Sequence, residues 1–269
     1  MFIATMASRL RAGARACSLA AVLFASAAQV QVRADMPDPT QSQFFAQLAP
    51  LVQAARLPSL ADATLGLGQG TASGTVRVWP PVRPQLALQV NRDPRVTEQV
   101  RQHLLQQLLI SHPEQAPQLR AALQLDWLRG FTQVFGEPYG LDANNLADVL
   151  TAYTLSLWAM VNRQPRVSPV AVLQVRTHMR QALAEQPQLQ QLPRQERQRM
   201  ADTLVYSATL LSVQRWWWLT HQQDATLAAA AQHYHQMALD NLQLDLTALA
   251  LTERGLVPKD EAVALSHKR

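Results

Sequence analysis

The sequence predicts an all-α fold, a bundle of about six helices with an irregular N-terminal extension, and three observations carry that expectation. Apolar residues recur at helical spacing in one segment after another from Asp93 onward. The pairs Asp93-Pro94 and Ser168-Pro169 place an acceptor side chain before a proline, whose missing N–H costs nothing in a first helical turn. Short connections between the periodic segments favour antiparallel neighbours.

The elements follow in order. Val96, Val100, Leu104, Leu105, Leu108 and Leu109 form one stripe of a first helix opened by Asp93-Pro94. Pro113 opens a second, expected to break near Gly130, with Leu119, Leu123, Trp127 and Phe131 apolar. Tyr139-Gly140-Leu141-Asp142 reads as a turn, because Gly140 suits a positive φ after a helix end. A third helix spans about Asn145 to Val161, with Leu146, Val149, Leu150, Tyr153, Leu157, Trp158 and Val161 on one face. Ser168-Pro169 starts a fourth. Pro193 starts a fifth, with a stripe of Met200, Leu204, Ala208 and Leu211, and Asp224 caps a sixth. Glu253-Arg254-Gly255 between apolar residues is a turn signal for a small hairpin or strap.

The domain boundaries follow from shifts in this pattern. Residues 1–34 read as a cleavable secretory signal, 35–91 as an irregular Pro/Gly-rich extension, 92–258 as the helical domain and 259–269 as a flexible tail. In the leader, Arg9, Arg11 and Arg15 precede an apolar run from Ala16 to Ala28, and small residues offer cleavage after Ala27 or Ala34. A membrane anchor is the competing reading, but the run falls short of the ~20 residues a bilayer demands. The expected location is therefore the periplasm or the outside of the cell, with no transmembrane segment after signal removal. In the extension, Phe44 to Arg56 fits a short helix, and Thr75–Trp79 and Gln85–Val90 fit short strands. The Gly66–Gly70 stretch fits a flexible loop, since it lacks the frame of a phosphate-binding loop or a nucleophile elbow.

Composition narrows the chemistry. Cys17 is the only cysteine and lies in the leader, so the mature chain has no disulfide, thiol nucleophile or thiolate metal site. The leader also holds four of the 24 basic residues and none of the 19 acidic ones, leaving 20 against 19. The basic balance that would suggest nucleic acid thus largely vanishes, and no nucleic-acid partner is expected. Charge remains uneven. Seven arginines stand against Glu185 and Glu196 between Arg163 and Arg199, and seven acids against three bases from Asp202 to Glu261. Facing helices of opposite sign, or plain solvated faces, account for this as well as an anion-binding surface does.

Two constellations stand out. Asn145 and Asp148 have the spacing of a capping box, and the same residues, with Tyr139, Asn144 and Tyr153, form a candidate polar pocket. Trp216-Trp217-Trp218 is a candidate contact surface, because successive helical residues diverge by ~100° and one apolar stripe cannot take all three. No metal site is expected: His233 and His235 diverge on a helix, and no two histidines are four apart. No catalytic residue and no cofactor can be assigned.

The run Tyr139, Asn144-Asn145, Ala147-Asp148, Tyr153 and Trp158, with the closing Leu244-Asp-Leu and Leu251 to Pro258, resembles a family of bacterial exported proteins known only as a domain of unknown function. The resemblance covers roughly Asp93 to Pro258. It implies export and helicity, and brings no activity, substrate or catalytic residue. The leading expectation is a non-enzymatic module that binds an unknown protein or envelope component. The alternative is a cofactor-free hydrolase of envelope polymers, with Asp148, Asn144 or His235 meeting in a cleft.

Overall fold

Side-chain caps set where three of the helices begin, and two helices fill the middle. A computed structural model of the chain describes residues 88–111, 113–184, 192–242 and 244–266. The leader 1–34, its cleavage sites, the Phe44–Arg56 helix, the Gly66–Gly70 loop, the Thr75–Trp79 strand and most of the Gln85–Val90 strand lie outside the described residues. Helix takes up 76% of what is described, so the fold is mostly helical with little strand.

Helix α1, Pro94–Ser111, starts where Asp93 accepts from the Arg95 N–H at 2.9 Å. Its stripe Val96, Val100, Leu104, Leu105 and Leu108 is buried. A 3-10 turn, Pro113–Gln115, leads into α2, Ala116–Leu123. The break expected near Gly130 falls instead at 124–126. There the Asp126 side chain caps α3, Trp127–Phe131, by accepting from the Arg129 N–H at 3.0 Å. Gly130 is buried inside that helix, its N–H bonded to the Asp126 carbonyl at 2.9 Å. The chain then widens into a π turn, Thr132–Gly136, and tightens into α4, Glu137–Tyr139. Gly140 ends α4 at φ +66°, as its lack of a Cβ permits.

Helix α5, Leu146–Val161, is buried almost all round; only Leu150 and Thr154 escape. Helix α6 spans Pro169–Ala184, α7 Arg194–Thr220 and α8 Asp224–Leu242. The sequence pattern assigns α7 a single stripe, yet every residue from Ala201 to Arg215 is buried and Met200 is only half-buried. The reason lies in its neighbours. Helix α7 packs against α5, α1, α3 and α8 at once, and α5 also carries α6 and α8. Strands β1, Leu249–Thr252, and β2, Gly255–Pro258, pair antiparallel across Glu253-Arg254, with Thr252 opposite Gly255. Gly255 has φ +96°, and a Cβ there would meet His178 Nδ1 at 3.2 Å, so the hairpin sits tightly on α6. The segment 259–269, expected as a flexible tail, opens with helix α9, Lys259–Ser266.

The end of the extension is tied down by the same central helix. Of the Gln85–Val90 strand, the described residues form a single bridge, Gln89 to Asn145. Arg92 pairs with Asp202 on α7, and the two side chains are 12% and 1% exposed. Asp202 also accepts from Thr97 Oγ1 at 2.8 Å. Gln198 clasps the Asp93 backbone, accepting from its N–H and donating to its carbonyl, each at 2.8 Å. Removing one member of such a pair leaves a buried charge without compensation. Asp202→Ala is therefore expected to cost about 3 kcal/mol in urea unfolding. Glu196→Ala, which breaks the exposed pair with Arg199, is expected to change stability by less than about 0.5 kcal/mol.

Candidate functional site

The first four N–H groups of a helix need partners from outside it, and at α5 all four have them. Counted from the N-cap, Asn145 donates to the Asp142 carbonyl at 3.0 Å, Leu146 to the Leu88 carbonyl at 2.8 Å, and Ala147 and Asp148 to Asn145 Oδ1 at 3.0 and 3.3 Å; Val149 then makes the first bond within the helix, to the Asn145 carbonyl at 3.0 Å. Asn145 is thus the N-cap. The reciprocal half of a capping box is missing, because the Asn145 N–H bonds the Asp142 carbonyl and not the Asp148 carboxylate.

The Asp148 carboxylate turns elsewhere. It is fully buried and receives both arms of two arginines on α6: Arg176 through Nε at 2.8 Å and Nη2 at 2.5 Å, Arg180 through Nε at 3.1 Å and Nη2 at 3.2 Å. The Asp142 N–H adds a fifth bond at 3.0 Å. A carboxylate that accepts five hydrogen bonds at a helix N-terminus has its lone pairs taken up by the fold. Asn144 is exposed and accepts from Arg92 Nε at 3.2 Å. Tyr153 is buried, and burial pushes its phenol up to about 12. None of these four residues lines the cavity that Tyr139 borders.

Tyr139 goes to a different place. It lines a cavity of about 40 Å³ between the π turn, α5, the loop after α5 and α7. Its hydroxyl reaches the Val167 carbonyl at 3.4 Å, and burial raises its pKa. Ser156 of α5 and Ser212 of α7 meet on the wall at 3.0 Å, while Ser156 donates to the Ala152 carbonyl at 2.7 Å. Val134, Leu155 and Val172 supply apolar wall, and the exposed Pro165 and Arg166 stand at the rim.

Arg215 is the unusual member of this lining. Only 5% of it is exposed, yet among the described residues no carboxylate pairs with it. Nη1 donates to the carbonyls of Gln164 and, at 3.0 Å, Pro165, whereas the buried Nε has no partner among the described residues. Its carbon centre lies 5.7 Å from the Trp216 ring, a cation–π distance. Burial lowers the guanidinium to about 10, which still leaves it charged at neutral pH.

The three tryptophans divide. All are half-buried against the core; Trp216 lines the cavity and Trp217 stacks on His221 at 3.6 Å. His235 lies 3.9 Å from Asp245, apart from the partners of Asp148 and Asn144. Among the described residues no three His, Cys, Asp or Glu side chains gather to hold a metal ion. No helix there is long and apolar enough to cross a membrane.

Sequence reasoning passes over Arg215, Ser156, Ser212, Arg176 and Arg180. One signal is present: Arg215 is the only charged residue between Leu204 and Trp218.

The Asp148 cluster makes a stability prediction. Asp148→Ala is expected to cost about 3 kcal/mol in chemical denaturation, and Arg180→Ala only about 1, since Arg180 is 43% exposed and Arg176 remains. The double variant should cost less than the two single losses added, because both remove one network.

Comparison with curated proteins and with solved structures finds no match. The model of a family of unknown function, DUF6683, matches residues 80–257, which takes in the cavity, the Asp148 cluster and the hairpin up to Val257. The chain belongs to that family.

Proposed function

We propose that the protein is an exported binding module without catalytic activity, a bundle of about six helices around α7 whose binding site is the cavity at Arg215. The observation that carries this reading is a buried guanidinium on a cavity wall that has, among the described residues, no carboxylate to neutralise it. Burying an unpaired charge is costly, so a native fold that keeps one is built to receive its counter-charge from outside.

The lining also favours binding over hydrolysis. A hydrolase needs a group that takes and returns a proton near neutral pH. Among the described residues, the cavity wall holds neither a carboxylate nor an imidazole. Asp148, the acid best placed by sequence, is consumed by Arg176 and Arg180.

Export rests on the leader: three arginines, an apolar run too short to span a bilayer, and two small-residue cleavage sites. The protein recovered from the envelope fraction of its native host should begin at Ala28 or Asp35. Small molecules released from it on denaturation should include one that is missing from an Arg215→Met preparation. Recovery of the uncut chain from the cytoplasm would refute export. Identical extracts from both preparations would refute the binding site.

A further inference from the structure

We infer that residues 163–167 form a lid on the cavity, latched shut by Arg215 and Tyr139, which lifts to admit a guest while the bundle stays folded. That a guest enters rests on reading the cavity as the binding site; the motion itself does not.

The loop between α5 and α6 is anchored at both ends. Asn162 Nδ2 donates to the carbonyls of Trp158 and Leu246 at 3.0 and 3.1 Å, and the Ser168 carbonyl accepts from the Val172 N–H at 3.0 Å. Gln164 closes the end of α5, its N–H on the Ala159 carbonyl at 2.9 Å. The carbonyls between these anchors are held down, among the described residues, by side chains from other elements. Arg215 Nη1 donates to the carbonyls of Gln164 and Pro165, and the Tyr139 hydroxyl reaches the Val167 carbonyl at 3.4 Å. The last of these is long and therefore weak. Arg215 is the main latch.

These bonds hold a cover over a closed space. Pro165, Arg166 and Val167 line the cavity from the loop. Ser156 and Ser212, which also line it, are each 3% exposed, so the volume of about 40 Å³ is largely shut off from solvent. Of the five loop residues only Val167 is buried. Lifting the loop thus uncovers one apolar side chain, whereas unfolding α7 uncovers the centre of the core. The first costs far less.

Two local features oppose the closed path. Arg163 is held at φ +51°, a region that residues with a Cβ seldom adopt. The buried guanidinium hydrogen-bonds to neutral carbonyls and keeps an Nε without a partner among the described residues, so it gains hydration when the loop lifts. Closure is maintained by the latch against these costs, which makes the latch the control on access.

Cys17 is the only cysteine, so the full-length chain carrying Cys17→Ser has no thiol. Ser212→Cys then places one on the cavity wall, with Ser156→Cys as the second choice should it not fold. Ala208→Cys, or Ala201→Cys in its place, puts a thiol in a fully buried position of α7 outside the lining. Labelling by iodoacetamide is followed against urea concentration. The cavity thiol should react at least about tenfold faster than the core thiol and depend less on urea, because a lid uncovers less surface than unfolding. Arg215→Lys loses the fork and carries the more strongly hydrated ammonium, so it should raise the ratio of the two rates about tenfold or more. Tyr139→Phe should raise it by only about two- to threefold.

Equal rates with the same urea dependence would overturn the lid, since the cavity would then open only by unfolding. A cavity thiol as reactive as that of the urea-unfolded chain would overturn it too, by showing no closed state. A ratio unmoved by Arg215→Lys would overturn the latch. The labelling uses no guest, so the lid can fail while extracts of wild type and Arg215→Met still differ, and can hold where those extracts are identical.

Discussion

A helix enclosed by protein on every side has no water to satisfy its polar side chains, and α7 is enclosed that way from Ala201 to Arg215. The constraint is severe because the buried stretch is not purely apolar. It carries Asp202, Thr203, Ser207, Thr209, Ser212, Gln214 and Arg215. Some hydroxyls bond back into the helix: Thr203 donates to the Arg199 carbonyl at 2.8 Å and Ser207 to the Thr203 carbonyl at 2.9 Å. Asp202 draws in Arg92 and Thr97, so satisfying it fixes where the chain enters α1. Arg215 draws in the carbonyls of Gln164 and Pro165, and these bonds fix the loop between α5 and α6. The polar residues of α7 thus act as positional pins. Their partners come from distant stretches of the chain, and each partner is held where the bond demands.

Asp148 pins a second helix in the same manner. The carboxylate sits at the start of α5, where the helix end favours negative charge, and it recruits Arg176 and Arg180 from α6. Charged groups thus fix α6 against α5, and the Ser156–Ser212 bond joins α5 to α7, which lies against it. The β hairpin then uses α6 as its base, with Gly255 against His178. An apolar interface alone tolerates small slides, whereas a forked arginine on a carboxylate does not. The cavity lies among these pinned elements, bounded by α5, α7, the loop between α5 and α6, and the π turn.

Much of the helix content is legible in the sequence, because caps and periodicity are local. Asp93-Pro94, Ser168-Pro169 and Asn145 mark their helix starts within a few residues, and Gly140 marks an end. Asp126 escapes notice as a cap, and it is what moves the break in the second helix to 124–126. The π turn is hidden because an extra residue per turn leaves little trace in an apolar pattern. The enclosure of α7 is hidden for a plainer reason. Ser, Thr and Gln at intervals read as a solvated face, and only the neighbours packed there turn them inward. The candidate site is less legible than the fold. Tyr139 lines the cavity, but Asn144, Asn145 and Asp148 serve the chain's own geometry. Arg215 comes from α7, far along the chain, and no spacing rule links it to Tyr139.

On the proposed reading, the distinction between Asp148 and Arg215 separates architecture from site. Both are buried and charged. The carboxylate is surrounded by donors that already neutralise it, so it stabilises the fold and has nothing left to offer a ligand. The guanidinium is fixed by neutral carbonyls, which orient it without cancelling its charge. A group held in this way has surrendered its rotamer freedom before any ligand arrives, so less ordering entropy opposes binding. Keeping such a charge unpaired lowers the stability of the unliganded fold, and proteins tolerate that cost chiefly where function requires it. Helix α7 carries the burden well because its remaining polar groups tie it to α1 and α5. The rigidity those bonds create holds the elements that line the cavity.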